Sequence, residues 1–575
     1  MTGTRWIIEG EIDPRWPINT RGNIGEVFPE VLTPLSYYHG VVFAERAWRE
    51  AYSDLGIAKK DDFTRDDPVI IGLYSGYAYL NLSYLRMIGV RAPGSSADAI
   101  DTAFVGEGDP PPYEQQPGDK SLSSSVKILR TVLKALNVKA LPEPATDSFR
   151  RAAEFAARRP SLDGPEADLW EYFDSFPDSF QPAFANHMKT TAVAAVVSGI
   201  LADGAIAAGE PGLVTHLIGA AGNVHSAQYA QALYSISKTV RESAALTDAF
   251  DSGVDGLLDR VAAEPGSEQF QEEFNEFIAE HGHRGPNDWE LSGRTWDNTP
   301  ELALSAIDAM RKSDQDLSPE QRLEGDAKRR QTAIERVRPH VKRIDRMNFD
   351  KAVRAASFWA QGREATRDRA VRLALPFKQV YRELVRRAAE RGGDPDPVRV
   401  ALLDPRDELR SYVSDPASLL AVIEERAALF ARFSEVEPRF LLTSQSEVPT
   451  LEELEASQPA AAAPVSTGEI LTGDAGSSGV ARGKARVILD PAEAGELLPG
   501  EVLVAPLTDP AWTPLFMPAA AVVVNVGALM SHAVIVSREL AIPCVVAVEA
   551  ATVRIETGMT IEVDGTAGTV TVLEA

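Results

Sequence analysis

The sequence predicts a multidomain chain: a large, mostly α-helical part over residues 1–455, a linker at 456–469 and a small α/β part at 470–575. Three observations predict it. Apolar residues recur with a period near 3.6 through most of the stretch from residue 120 to 433. The run Ala456-Ser457-Gln458-Pro459-Ala460-Ala461-Ala462-Ala463-Pro464-Val465-Ser466-Thr467 then has small residues, prolines and no periodicity, as a flexible tether does. Beyond it, short β-branched runs replace the helical pattern. A length of 575 residues allows about three to five folding units at roughly 100–200 residues each.

Taken in order, residues 1–40 are irregular, because Asp13-Pro14, Trp16-Pro17, Phe28-Pro29 and Thr33-Pro34 each push the preceding residue toward extended structure. Tyr37 to Leu55 has helical spacing. An apolar piece, Val69 to Leu85, is thick with tyrosines (Tyr74, Tyr77, Tyr79, Tyr84). Residues 92–120 read as loop, with Pro110-Pro111-Pro112. Amphipathic helices are expected at Phe149 to Arg158, Thr190 to Ala207 and Val224 to Thr247. The helical run Phe270 to Ile278 stops at the break His281-Gly282-His283-Arg284-Gly285-Pro286. Helix resumes from Pro300 to Lys312, then from Pro319 to Glu364 and from Arg367 to Gly392. After the linker, strands are expected at 480–489, 501–505, 521–526, 544–548, 560–563 and 569–573. Helices there are expected near 491–497, 513–518 and 531–540.

The formal net charge is −26, with 44% hydrophobic and 25% charged residues. Such a chain repels polyanions, so no nucleic-acid partner is expected. Lys328-Arg329-Arg330 and Arg386-Arg387 fall in Glu-interleaved helical sequence and read as solvated faces. The one cysteine, Cys544, lies in an apolar run and reads as a small core residue, and no metal site is expected. The N-terminus lacks the long apolar core of a secretory signal, and no uninterrupted run reaches about 18 apolar residues. No membrane partner is therefore expected, and the cytoplasm is the default location.

One stretch concentrates chemistry. The strand-like run Ala521 to Val526 is broken by Gly527, and Ser531 is a good helix N-cap. His532 then falls in the first turn of a helix, where unpaired amides and the dipole favour an anionic group. On local physics the histidine is either a polar residue at a helix start or a group able to carry phosphate.

The surrounding motifs are Gly479-Val480-Ala481-Arg482-Gly483-Lys484-Ala485-Arg486-Val487, Thr508-Asp509-Pro510-Ala511-Trp512-Thr513-Pro514, Gly527 through Leu540, Ile542-Pro543-Cys544-Val545-Val546 and Asp564 through Val570. In this order they resemble the swivelling phosphohistidine domain of phosphoenolpyruvate-utilising (PEP-utilising) enzymes, over roughly residues 470–575. Ala528 stands where that family usually has a second glycine, and Ser537 where it has alanine. The resemblance implies that His532 is the phosphoryl carrier. It makes Ser531, Thr508 and Arg538 candidate phosphate contacts, with Thr508 and Thr513 orienting the ring. Ser531 also reads as a plain N-cap, and Arg538 also reads as a structural or docking residue. No ATP-grasp domain, Walker-type loop or phosphoenolpyruvate barrel is visible in the sequence. ATP and Mg²⁺ are therefore expected to act through a separate ATP-grasp nucleotide-binding subunit, which charges a covalent phosphohistidine.

The helical part carries Asn23-Ile24-Gly25-Glu26-Val27-Phe28-Pro29 with Thr33-Pro34-Leu35, then Tyr79-Leu80-Asn81-Leu82-Ser83, then Gly282-His283-Arg284-Gly285 with Trp296. These resemble the acceptor-binding region of rifampicin phosphotransferase and of two-component relatives that phosphorylate phenols. That family often has an arginine shortly before the position of Tyr79, and none is present here. Transfer to a hydroxyl needs a base and positive charge on the phosphoryl oxygens. His283 and Arg284 supply both types, with His281 a rival. Asp288 and Glu290 are substrate-side candidates that would orient the histidine or accept a proton, and Glu26 is a candidate pocket carboxylate. Tyr79, Trp289 and the other aromatics read either as core or as the wall of an aromatic pocket. The expected function is a phosphotransferase component that passes phosphate from His532 to a hydroxyl acceptor, a phenol such as a 4-alkylphenol. An antibiotic hydroxyl and a non-catalytic phosphocarrier are the alternatives.

Overall fold

The β-branched runs beyond residue 470 build a sheet, and the periodic runs before it build helices. The computed structural model describes residues 3–59, 62–63, 65–92, 95–105, 110–141, 143–218, 225–312, 319–458, 464–490, 497–508, 512–527, 531–540 and 542–574. They divide into two compact units. The first holds Met1–Ala221, Trp289–Gly293 and Ile334–Gln458, and the second holds Gly222–Asp288, Arg294–Ala333 and Pro459–Ala575.

In the first unit, four short antiparallel strands pair in the order β2-β3-β1-β4: β1 Asn19–Thr20, β2 Ile71–Tyr74, β3 Tyr77–Asn81 and β4 Leu441–Leu442. The tyrosine-rich piece is thus a hairpin. Its two turn residues, Ser75 and Gly76, have φ of 50° and 81°, as a two-residue hairpin turn with the strands' own twist requires. Ser75 tolerates this because its N–H donates to Glu9 Oε1 (3.1 Å) and its hydroxyl to Pro449 O (2.7 Å). The helix Leu82–Arg91 follows directly, capped by Asn81, whose side chain accepts from Tyr84 N–H.

Two long helices form the backbone of this unit, Phe176–Ala207 and Arg346–Glu390. The second runs unbroken through 364–367 and past Pro376. The interruption expected at 365–366 lies instead at Arg338–Asp345, where Pro339 ends the preceding helix in a 3₁₀ turn. Residues 92–120 hold a helix that the loop reading missed, Ala97–Phe104, capped by Ser96. By length and composition Glu166–Ala207 is apolar enough to cross a membrane, which no uninterrupted run of the sequence suggested; 39% of its apolar window is buried. Its Phe176, Phe180, Ala183 and Phe184 sit in the core with Phe377 and Tyr381.

The second unit holds the helices His225–Glu242, Glu268–His281 and Glu301–Arg311 and an eight-stranded sheet of order β5-β12-β11-β7-β8-β9-β10-β6. The strands are β5 Ile470–Thr472, β6 Asp474–Ser477, β7 Val480–Val487, β8 Val502–Ala505, β9 Ala521–Val524, β10 Cys544–Val546, β11 Thr560–Asp564 and β12 Thr569–Glu574. Strands β7 to β10 are parallel and the flanking pairs antiparallel. The central strands are buried on both faces, which explains their continuous valine runs. Strands β5 and β6 are hard to read from sequence because Gly473, Asp474 and Gly476 break the β-branched pattern.

This division differs from the linear one read from the sequence. Residues 225–311, apart from 289–293, group with the C-terminal sheet. Tyr229, Leu233, Phe277, Trp296 and Ile307 share one apolar core with Met517, and Leu540 packs against it. Part of the expected tether, 459–463, lies outside the described residues. Its last part is folded: Val465 is buried and donates its N–H to Arg554 O (2.9 Å).

Candidate functional site

Strand β9 ends at Val524, and the chain reaches the helix His532–Glu539 at the carboxyl end of the parallel strands. That edge is where open parallel sheets receive ligands. Gly527 is required there, because a Cβ would stand 2.8 Å from Val546 Cβ. Ala528, Leu529 and Met530 lie outside the described residues. Ser531 is the N-cap, with φ −68° and ψ 158°, and its buried hydroxyl accepts from Val534 N–H (3.4 Å). His532 is therefore the first residue of the helix, as expected.

The half-buried His532 ring is gripped at both nitrogens. Thr508 Oγ1 lies 3.1 Å from Nδ1 and Thr513 Oγ1 lies 3.2 Å from Nε2. Both threonines are buried. Phe516 stands edge-on to the imidazole, with centroids 5.9 Å apart at 90°. In a neutral imidazole one nitrogen donates and the other accepts, and a hydroxyl satisfies either. The pair therefore fixes the ring plane without choosing a tautomer.

Tyr229 joins this group, a residue the sequence did not mark. Its hydroxyl lies 2.9 Å from Thr513 Oγ1. Its ring meets Trp296 edge-on at 5.7 Å and lies 5.7 Å from the Arg284 guanidinium carbon. Residues 282–288 and 294–298 of the loop after Glu268–His281 are thus in the same unit as His532, while 289–293 group with the first unit. The loop is tightly folded: Trp296 N–H donates to Arg284 O (2.7 Å) and Asp297 N–H to Gly282 O (2.9 Å). Gly285 allows this return, since a Cβ would stand 2.3 Å from Arg294 O. His283 and Arg284 are only 2% and 4% exposed. Arg284 pairs with Asp288 at 3.0 Å.

Arg538 lies at the far end of the His532 helix. Its Nε donates to Gly476 O on β6 (2.7 Å), and burial pulls its pKa down to about 10. This places it against the sheet edge, a structural contact. Cys544 is buried in β10, as expected for a core residue, and burial pushes its thiol up to about 12.

The remaining candidates belong to the first unit. Glu290 is buried, and its Oε1 accepts from Thr33 Oγ1 (2.9 Å), Ser36 Oγ (2.7 Å), Ser292 Oγ (2.6 Å) and Ser292 N–H (3.1 Å). Two motifs far apart in sequence meet here, and the carboxylate holds them together. Trp289 is half-buried, edge-on to Phe184 at 5.5 Å. Tyr79 is fully buried and donates its hydroxyl to Arg439 O (2.6 Å), so it is core. Tyr74, Tyr77 and Tyr84 are buried likewise, which fits the core reading of these tyrosines. Glu26 is half-buried in the short helix Ile24–Val27.

An arginine does stand beside Tyr79, from elsewhere in the sequence. The Arg21 guanidinium carbon stands 5.2 Å and 5.9 Å from the ring centroids of Tyr77 and Tyr79. It donates to Ala78 O (2.6 Å), Phe28 O (3.1 Å) and Pro29 O (3.3 Å). Gly25 lies against it, where a Cβ would stand 3.3 Å from Nη2. Among the described residues, no group of three or more His, Cys, Asp or Glu side chains is placed to hold a metal ion.

Residues 183–367 match the family model described as the rifampicin phosphotransferase fourth domain, and residues 497–568 match that of the PEP-utilising enzyme mobile domain. Prodigiosin synthesizing transferase PigC of Serratia marcescens is 26% identical over 577 residues, covering 96% of this chain and 62% of its own length. Rifampicin phosphotransferase of Streptomyces sviceus is 29% identical over 370 residues, covering 62% of this chain and 41% of its own length. The enzyme of the same name from Bacillus cereus is 36% identical over 167 residues, 29% of this chain and 18% of its own length. The chain thus spans less than two thirds of the length of each. Both domain matches, one of them over the helix that carries His532, make the chain similar to PEP-utilising enzymes and, among them, to rifampicin phosphotransferase.

Proposed function

We propose that this chain is a phosphotransferase component that carries a phosphoryl group on His532 and passes it to a hydroxyl acceptor. The observation that carries the reading is the seating of His532. It is the first residue of a helix, at the carboxyl end of parallel strands, with a threonine hydroxyl on each ring nitrogen. Charging needs one hydroxyl to rotate off its nitrogen. That nitrogen's lone pair attacks phosphorus, a P–N bond forms, and the P–O bond to the leaving phosphate breaks. The other nitrogen keeps its proton, held by the second threonine. The helix amides and Ser531 receive the added negative charge.

In the second transfer the acceptor oxygen attacks phosphorus, the P–N bond breaks, and the hydroxyl proton passes to a base. His283 is the proposed base and Arg284 the proposed cation. Both are buried, so this role requires the 282–298 loop to open. ATP and Mg²⁺ are assigned to a separate ATP-grasp partner, and a phenol such as a 4-alkylphenol is the proposed acceptor. The name of the Streptomyces relative supports an antibiotic hydroxyl as a second acceptor class. The 96% coverage by a relative named as a synthesizing transferase supports the same carrier serving a synthetic reaction. A non-catalytic phosphocarrier is the remaining alternative. The test is incubation with an ATP-grasp partner, labelled ATP and a panel of phenols. Phosphorylated phenol formed by the wild type and not by His532→Ala supports the reading. Labelled protein that never passes phosphate to any acceptor supports the plain carrier.

A further inference from the structure

We propose that the helix Leu122–Ala135 docks an acidic amphipathic helix of another protein through an uncovered apolar stripe. Leu122, Val126, Leu129 and Leu133 are 83%, 43%, 49% and 53% exposed. Their 4-3-4 spacing places all four within an arc of about 60° on a helix of 3.6 residues per turn, over ~17 Å of axis.

The stripe is not the helix's own core face turned outward. Ser124, Ile128 and Ala135 are buried on the other side. Ser121 caps the first turn, Ser125 Oγ donates to Arg91 O (3.0 Å), and the Trp359 indole N–H donates to Ala135 O (2.9 Å). The helix is thus anchored by one face and presents a second apolar face. Beside Leu133, a surface depression lined by Leu133, Lys134, Asn137 and Leu141 extends it.

Charge selects the occupant. Lys127, Arg130 and Lys134 are exposed and form a row about 100° round from the leucines. Lys120 and Lys139 flank the helix, and no Asp or Glu occurs between Asp119 and Glu143. The rest of a chain of net charge −26 is strongly acidic. A basic row beside a heptad-spaced apolar stripe fits a helix with leucine-type residues on one face and Asp or Glu along its edge. A second copy paired about a two-fold axis would set these five basic residues against the same five. A bilayer fits less well, since the helix has no Trp, Tyr or Phe and the chain's net charge opposes an anionic surface.

This inference stands apart from the phosphoryl-transfer reading. Its test uses a fluorescein-labelled 21-residue helical peptide with Leu at a and d and Glu at e and g, kept below its own self-association range. A matched peptide carries Lys in place of Glu. Anisotropy with the full chain is expected to show binding of the Glu peptide at least tenfold tighter than of the Lys peptide. Leu129→Asp/Leu133→Asp should abolish it, and Lys127→Glu/Lys134→Glu should reverse the preference while circular dichroism stays unchanged. If the leucine variant fails to fold, the charge-reversal variant alone decides. Equal binding of both peptides, or none, overturns the proposal. So does concentration-dependent dimerisation, or co-sedimentation with phosphatidylglycerol vesicles, that the leucine variant abolishes.

Discussion

The hydroxyl of Thr513 lies 3.2 Å from Nε2 of His532, and the hydroxyl of Tyr229 lies 2.9 Å from Thr513. The His532 ring is thereby tied through one threonine to the helix His225–Glu242. A neutral hydrogen bond contributes about 0.5–1.5 kcal/mol, or roughly two- to tenfold in rate where it orients the reacting group. Thr513→Val is expected to lower phosphoryl uptake at His532 by that factor. Tyr229→Phe keeps the ring against Trp296 and Arg284 and should have a smaller effect. Single-turnover labelling of His532 reads both. An unchanged rate in Thr513→Val removes the positioning role.

Arg284 and Asp288 form a buried ion pair at 3.0 Å, their side chains 5% and 1% exposed. Asp288→Ala leaves a buried guanidinium beside Tyr229 without its carboxylate, a loss of about 3–5 kcal/mol. Arg284→Met/Asp288→Leu removes both charges and should recover most of it. Thermal unfolding of the two variants gives the comparison. Equal destabilisation by single and double variants would show that packing, not charge, holds this loop.

Glu9 sets a pH dependence. Burial pushes its carboxyl up to about 7 from an ordinary 4.5, against the Arg5 charge and the N–H groups of Trp6 and Ser75. The folded state therefore holds this proton more tightly than the unfolded chain. The stability it contributes is complete below about pH 4.5, falls as pH rises to about 7, and is gone above that. Residual solvent contact reduces the effect to about 2 kcal/mol. Glu9→Gln should raise the melting temperature at pH 8 and leave it unchanged at pH 4. A uniform shift at both pH values would mean that the carboxyl's titration is not the cause.

The legible parts of the fold were those governed by local pattern. Valine-rich β8 and β9, Gly527 and the Ser531 cap of the His532 helix were readable because apolar run, glycine break and N-cap are each local signals. The hairpin at Ser75-Gly76 was less visible, since Ser is an uncommon residue at positive φ and its hold comes from Glu9 and Pro449, distant in sequence. Grouping of residues 225–288 and 294–311 with the C-terminal sheet was invisible, because it rests on Met517 and Leu540 packing against Tyr229 and its neighbours. The same holds for Arg21, which reaches Tyr79 through β-pairing of Asn19–Thr20 with Leu80–Asn81. The partners of Glu290, Thr33 and Ser36, are equally invisible in the sequence, because they lie more than 250 positions away.

The central claim is that His532 accepts the phosphoryl group, and direct phosphorylation tests it without any partner. The full chain is treated with phosphoramidate, a small-molecule histidine phosphoryl donor, and the product is read by ³¹P NMR and by acid lability. The expected result is one acid-labile, alkali-stable phosphohistidine signal that disappears in His532→Ala and persists in His283→Ala. An undiminished signal in His532→Ala, carried by another of the 8 histidines, would contradict it.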